Sequence, residues 1–123
     1  MFVIEVDPSK RLFIIRYAQR VSADEVRQCM EQARGLLAAM QPAFRVLVDL
    51  SRLESMDLSC APEIGAMMDL FAEKQVGTVV RVVPDPRKDI GLNIMSLFHY
   101  GPEVQRITCE ELTAALQSLS DEG

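Results

Sequence analysis

Apolar positions along this chain change period several times, and each change marks an element. FVIEV and RLFIIRY read as two strands joined by Asp7-Pro8-Ser9-Lys10. Pro8 presets the backbone of a tight turn and Asp7 can bond its amides, so a β-hairpin is predicted. Ser22-Ala-Asp-Glu25 then forms a capping box, in which the hydroxyl accepts from a free helix amide and Glu25 reaches back. Val26, Met30, Ala33 and Leu37 follow at helical spacing, with Cys29, Leu36 and Met40 widening the stripe. Pro42 is expected to stop that helix.

Phe44 to Leu50 is almost continuously apolar, which suits a central strand covered on both faces. Ile64, Met67, Met68 and Phe71 predict a second helix with Gly77 as its terminator. Thr78 to Val83 is a β-branched strand closed by Pro84-Asp85-Pro86. Ile90, Ile94, Leu97 and Phe98 predict a third helix ending at Gly101-Pro102, and Val104 to Ile107 a short edge strand. Thr108-Cys-Glu-Glu111 reads as a second capping box leading into Leu112, Ala115, Leu116 and Leu119. The order is β-β-α-β-α-β-α-β-α. Strands alternating with helices imply parallel pairs added to an N-terminal hairpin. The expectation is one α/β domain over residues 1–123, with a mixed sheet of about five strands and about four helices.

Charge and cysteine usage narrow the functions. With 13 basic and 18 acidic residues, the net charge of −5 argues against nucleic acid and against an anionic membrane surface as partners. The start, MFVIEVDPSK, has no basic region before its short apolar run, and no run nears the ~18 apolar residues of a membrane span. Cys29, Cys60 and Cys109 are odd in number and widely spaced, as expected of reduced thiols in the cytoplasm. One histidine, His99, and no ligand cluster predict no metal site and no cofactor; His99 in IMSLFHYG reads as a partly buried helix-end residue.

The element order, the strand ending VLVDLS (Val46 to Ser51) and the segment Met56-Asp57-Leu58-Ser59 resemble the STAS domains of bacterial anti-sigma factor antagonists. The stretch VGTVVRVVPDPRKDIGLNIMSLF is similar to the family's fourth strand and third helix, so the resemblance spans nearly the whole chain. Such domains carry an apolar residue, Asp, Ser, Ser and Gly before a helix, and a partner kinase phosphorylates the second serine. The resemblance places that role on Ser59 and the aspartate on Asp57. Leu58 stands where the first serine would be, Cys60 where the glycine would be, and Pro62 enters the following turn.

Read from the residues alone, Ser59 stands at a helix start. It is either an N-cap or a place where a phosphate would meet helix amides. Asp57 is a turn or cap carboxylate, or one that polarises the approach of the Ser59 hydroxyl or repels a phosphate there. Cys60 near a helix N-terminus raises thiol chemistry, although nucleophilic catalysis also needs a base and His99 alone is available. Met67, Met68 and Met95 belong to the second and third helices. Methionines there are either core or an adaptable partner-binding face. The leading expectation is a non-enzymatic module for partner switching, with an anti-sigma kinase or sensor protein as partner and a homodimer as an option. The alternatives are a scaffold or a small-molecule or lipid binder of the same fold without the switch, and, last, a thiol enzyme at Cys60.

Overall fold

A computed structural model describes residues 1–56, 58–85 and 99–122. Five strands form one sheet in the order of the chain: β1 (Phe2–Asp7), β2 (Leu12–Val21), β3 (Arg45–Met56), β4 (Thr78–Val82) and β5 (Gln105–Cys109). β1 and β2 are the expected antiparallel hairpin, and β2, β3, β4 and β5 are parallel neighbours. Three α-helices lie among the described residues: α1 (Ala23–Leu37), α2 (Ala61–Glu73) and α3 (Leu112–Glu122). The helix expected around Ile90 to Phe98, with Met95, lies outside the described residues, as does Asp57.

Local chemistry sets most boundaries. In the hairpin turn, Asp7 accepts from Lys10 N and from the Ser9 hydroxyl. The first capping box closes in both directions: Glu25 N donates to Ser22 Oγ at 3.2 Å, and Ser22 N donates to Glu25 Oε1 at 3.3 Å. α1 ends at Leu37, well before Pro42. The end of α2 differs from expectation. Gln75, not Gly77, takes the left-handed conformation (φ 66°). Val76 N donates to Phe71 O and Gln75 N to Ala72 O, a Schellman closure that offsets the cost of left-handed backbone at a residue with a Cβ. Gly77 serves packing instead, since a Cβ there would lie 3.2 Å from Ala43 Cα. The second capping box also fails. Thr108 is a residue of β5, its hydroxyl accepts from Arg81 Nη2, and α3 begins only at Leu112.

The sheet separates two cores of unequal size. Alternating positions of β2 send Phe13, Ile15 and Tyr17 toward α1 and α2. There Phe71 meets Phe13 edge-on at 5.6 Å and Phe44 at 6.4 Å. The opposite face packs Leu47, Val80 and Val82 under Ala115 and Leu119 of α3. β3 supplies both cores, with Val46 on one side and Leu47 on the other, as its nearly continuous apolar run implied. Arg45, the one basic residue inside that run, keeps its guanidinium at the strand's start, where it donates to Leu119 O of α3 and to Lys10 O of the hairpin turn.

β3 is also longer than its apolar run. After Arg16↔Asp49 the register slips twice, and Ala18↔Arg52 and then Arg20↔Ser55 follow. Two β-bulges thus place extra residues on β3 and bend it. At the first, Asp49 is buried, accepts from Ser51 N at 2.9 Å and lies 3.6 Å from Arg16 Nε. β4 follows β3 only as far as Asp49↔Val82. Beyond that point β2 and β3 continue as a two-stranded ribbon to Val21↔Met56.

Truncating the aromatic that joins Phe13 and Phe44 opens a large void. Phe71→Ala is expected to lower stability by about 3–5 kcal/mol, and Ser22→Ala, which removes only the cap, by about 1 kcal/mol, both read from urea unfolding midpoints.

Candidate functional site

The end of the ribbon is where the segment expected to carry the switch sits. Leu58–Cys60 forms a single 3₁₀ turn that runs directly into α2. Cys60, not Ser59, occupies the N-cap position, with φ −73° and ψ −18° and no side-chain cap. The N-cap reading of Ser59 is therefore corrected: the serine stands one residue before the cap, and it is exposed. The same dihedrals answer the loss of glycine. They are ordinary right-handed values, so a side chain at position 60 carries no backbone strain.

The Cys60 side chain turns inward. It is 1% exposed, and its thiol donates to Val21 O at 3.5 Å, tying the start of α2 to the end of β2. Cys29 of α1 is equally buried, while Cys109 is partly exposed. Burial pushes the Cys29 thiol up to about 11. Tyr17, which faces the Cys29 and Cys60 thiols, is driven well above the usual phenol range, first by burial and then by those thiols. This is an inert interior cluster rather than an activated nucleophile. His99 does not serve it: its Nδ1 lies 2.6 Å from Asp69 Oδ1 of α2. Half-buried, as the sequence suggested, it ties the chain after residue 98 to the outer face of that helix.

Charges rim the turn. Glu63, in the first turn of α2, bonds Arg27 Nη2 of α1 at 3.2 Å, and the same guanidinium holds Asp24. A carboxylate in a helix's first turn suits the dipole, and here it also joins the starts of α1 and α2.

Met67 and Met68 do not form a surface, and Met95 lies outside the described residues. Met67 and Met68 are 5% and 6% exposed and pack into the α1–α2 core, so they offer no partner-binding face. α2 turns that stripe onto the sheet because Ile64, Met67, Met68 and Phe71 share one side of the helix. Exposed large apolar side chains lie instead at Met1, Val3, Leu36 and Leu116. Arg81, which is 3% exposed, went unremarked in the sequence; its signal was the single charge inside TVVRVV. Among the described residues no three of His, Cys, Asp or Glu gather as metal ligands, and no helix is long and apolar enough to cross a membrane.

The backbone has relatives among solved structures. An uncharacterized DUF3478 protein from Shewanella loihica PV-4, described as SpoIIAA-like, superposes with a TM-score of 0.74 at 16% identity, over 96% of this chain and 93% of that one. The fold is that of the SpoIIAA-like anti-sigma factor antagonists. Unphosphorylated SpoIIAA matches with a TM-score of 0.62 at 17% identity, over 98% of both chains. An anti-sigma factor antagonist from Mycobacterium paratuberculosis gives 0.58 at 19%, over 98% of this chain and 96% of that one. The STAS resemblance and the mixed five-stranded sheet expected from the sequence therefore hold for the SpoIIAA-like fold. The sequence matches no protein-family model and no curated protein.

Burial predicts the thiol chemistry. At pH 8 a group with a pKa of about 11 is ionised in roughly one molecule in a thousand, so Cys29 should resist alkylation in the folded state. Cys109 is expected to react first with a disulfide reagent, and Cys29 and Cys60 only after denaturant is added. The raised thiol also sets a pH dependence. Above the ordinary thiol pKa the unfolded chain loses this proton while the folded chain keeps it. Stability should therefore fall as pH rises from that value toward about 11, as followed by unfolding at stepped pH.

Proposed function

We propose that this chain is a non-enzymatic signalling module that binds protein partners, with Ser59 as a phosphorylation switch written by a partner kinase. One observation carries the reading: an exposed serine at the mouth of α2, at the end of β3, on a SpoIIAA-like backbone. SpoIIAA itself has been described in a phosphorylated form.

The geometry supports a switch that needs no chemistry from the protein. A phosphoryl group on Ser59 adds up to about two negative charges before a helix N-terminus, whose dipole tolerates them. It adds them to a rim already holding Glu63 and Asp24, whose shared counter-charge is Arg27. A partner that docks an apolar or acidic surface on the bare hydroxyl would be repelled after modification. An anti-sigma kinase or a sensor protein in the cytoplasm fits this behaviour, and three free cysteines support that reading. The competing reading is a scaffold of the same fold that has kept the turn and lost the switch, and the departures at Leu58 and Cys60 favour it.

Isolated from its own cells, the chain is expected to carry one phosphate, on Ser59, and the Ser59→Ala variant none, as read by intact-mass and peptide mass spectrometry. A chain that never carries phosphate, or carries it on another residue, rejects the switch in favour of the scaffold.

A further inference from the structure

The two margins of the sheet are guarded differently. β1 pairs with β2 alone, and β5 with β4 alone. β5 is five residues long and carries Arg106. β1 is six residues long, FVIEVD, with neither lysine nor proline. Its ladder to β2 runs from Phe2↔Tyr17 to Asp7↔Leu12 without a bulge. Its two carboxylates are engaged within the chain, Glu5 with Arg16 and Asp7 in the hairpin turn. Lysine, proline and bulges are the usual devices that keep an edge strand from pairing with another chain.

The groups that point out from this edge follow from the ladder. Ala18 N donates to Met1 O at 2.9 Å and Met1 N to Ala18 O at 3.2 Å, so these two residues exchange both bonds. Antiparallel ladders alternate such pairs with pairs that exchange none. Val3, Glu5 and Asp7 therefore turn their amides and carbonyls toward β2, and Phe2, Ile4 and Val6 turn theirs outward. Among the described residues no hydrogen bond reaches these outward groups. Apolar surface gathers on the same margin. Met1 and Val3 are exposed, and so is Leu36 of α1. Leu36 stands about half a turn round the helix from Arg27, which faces α2 through Glu63, so Leu36 faces away from α2. Glu25, on the same flank as Leu36, lies 2.5 Å from Met1 N, which places β1 on that side.

We propose that β1 is the interface between two copies of this chain, paired antiparallel about a two-fold axis at Ile4, so that two five-stranded sheets join edge to edge. The strand is self-complementary in that register. Phe2, Ile4 and Val6 project on the α1 side, where they pack against the larger core. With the axis at Ile4, Phe2 faces Val6 of the second copy and Ile4 faces its own counterpart, so apolar meets apolar. The same register gives a partner to every outward amide and carbonyl of Phe2, Ile4 and Val6 in both chains. A slip of two residues leaves some of them unpaired, and a slip of one sends each side chain to the wrong face. On the opposite side Val3 faces Glu5 of the second copy, and no like charges stand opposite one another. Any extended peptide can bond such an edge. A second copy is the occupant because the register that fills every backbone bond also aligns the apolar side chains. A strand edge is smaller than the roughly 1,600 Å² of a standard interface, so the association is reversible and concentration-dependent. Ser59 takes no part in the pairing, and failure of either reading leaves the other standing.

The test is sedimentation equilibrium of the intact chain from roughly 1 μM to 1 mM. The average mass is expected to rise from the 13.8 kDa of one chain toward twice that value. Ile4→Pro removes an outward amide that β2 does not use, so the hairpin ladder persists while the dimer is lost. Two variants at exposed Val3 test the register and remain informative if the proline variant does not fold. Val3→Glu sets a like charge against Glu5 of the second copy and should weaken association severalfold. Val3→Lys sets an opposite charge there and should strengthen it by a similar factor. Leu116→Glu, the same charge change on α3, should leave association unmoved. A mass that stays at one chain throughout leaves the edge to a foreign strand and overturns the proposal. Undiminished dimerisation of a folded Ile4→Pro chain, or a Val3→Glu chain that associates as tightly as Val3→Lys, overturns it equally.

Discussion

β2 and β3 stay paired from Leu12↔Arg45 to Val21↔Met56, whereas β4 leaves β3 at Val82↔Asp49. That difference in length places the turn Leu58–Cys60. Had β3 ended with β4, residues 58–60 would emerge level with the sheet. The two bulges absorb extra residues of β3, and Asp49 holds the first of them through Ser51 N and Arg16. The ribbon then delivers the chain to α2 at the same height at which β2 delivers it to α1. Two links fasten these helix starts together, the Cys60 thiol on Val21 O and the Arg27–Glu63 pair. Ser59 thus stands in a short turn between two regular elements, β3 and α2.

The same arrangement explains why Cys60 is quiet. A thiol before a helix gains reactivity when it faces solvent and positive charge. Here the N-cap residue has right-handed backbone and sends its side chain into the space between β2 and α2. The hydroxyl one position earlier is left on the outside. Neighbouring residues in one turn therefore divide between core and surface, and the division follows from the 3₁₀ geometry rather than from the polarity of either side chain.

The two faces of the sheet differ in what they enclose. Beneath α3 the packing is small and aliphatic, built on Leu47, Val80, Val82, Ala115 and Leu119. Beneath α1 and α2 it is large and aromatic, yet it also contains Arg81, Tyr17 and an unfilled space. A protein close to its stability threshold tolerates such features where they confer something else. Met56, which ends β3, lines that space.

Much of the fold was legible from local chemistry. Pro8 and Asp7 marked the hairpin, Ser22 and Glu25 marked the start of α1, and the run from Phe44 to Leu50 marked a strand buried on both faces. Each of these signals is decided within a few residues. Others depended on partners distant in sequence. Thr108 was claimed by β5 rather than by a helix cap because Arg81 and the β4 ladder were already in place. Gln75 took the terminating place of Gly77 because the helix ends at Glu73 and its closing bonds fall on Gln75 and Val76, while Gly77 is kept by its close approach to Ala43. The sequence by itself determined the succession of strands and helices, since periodicity and turn residues act locally. Only the tertiary structure decided which way Ser59, Cys60, Met67, Met68 and Arg81 face, because burial is set by the elements that pack together and not by the residues adjacent in the chain.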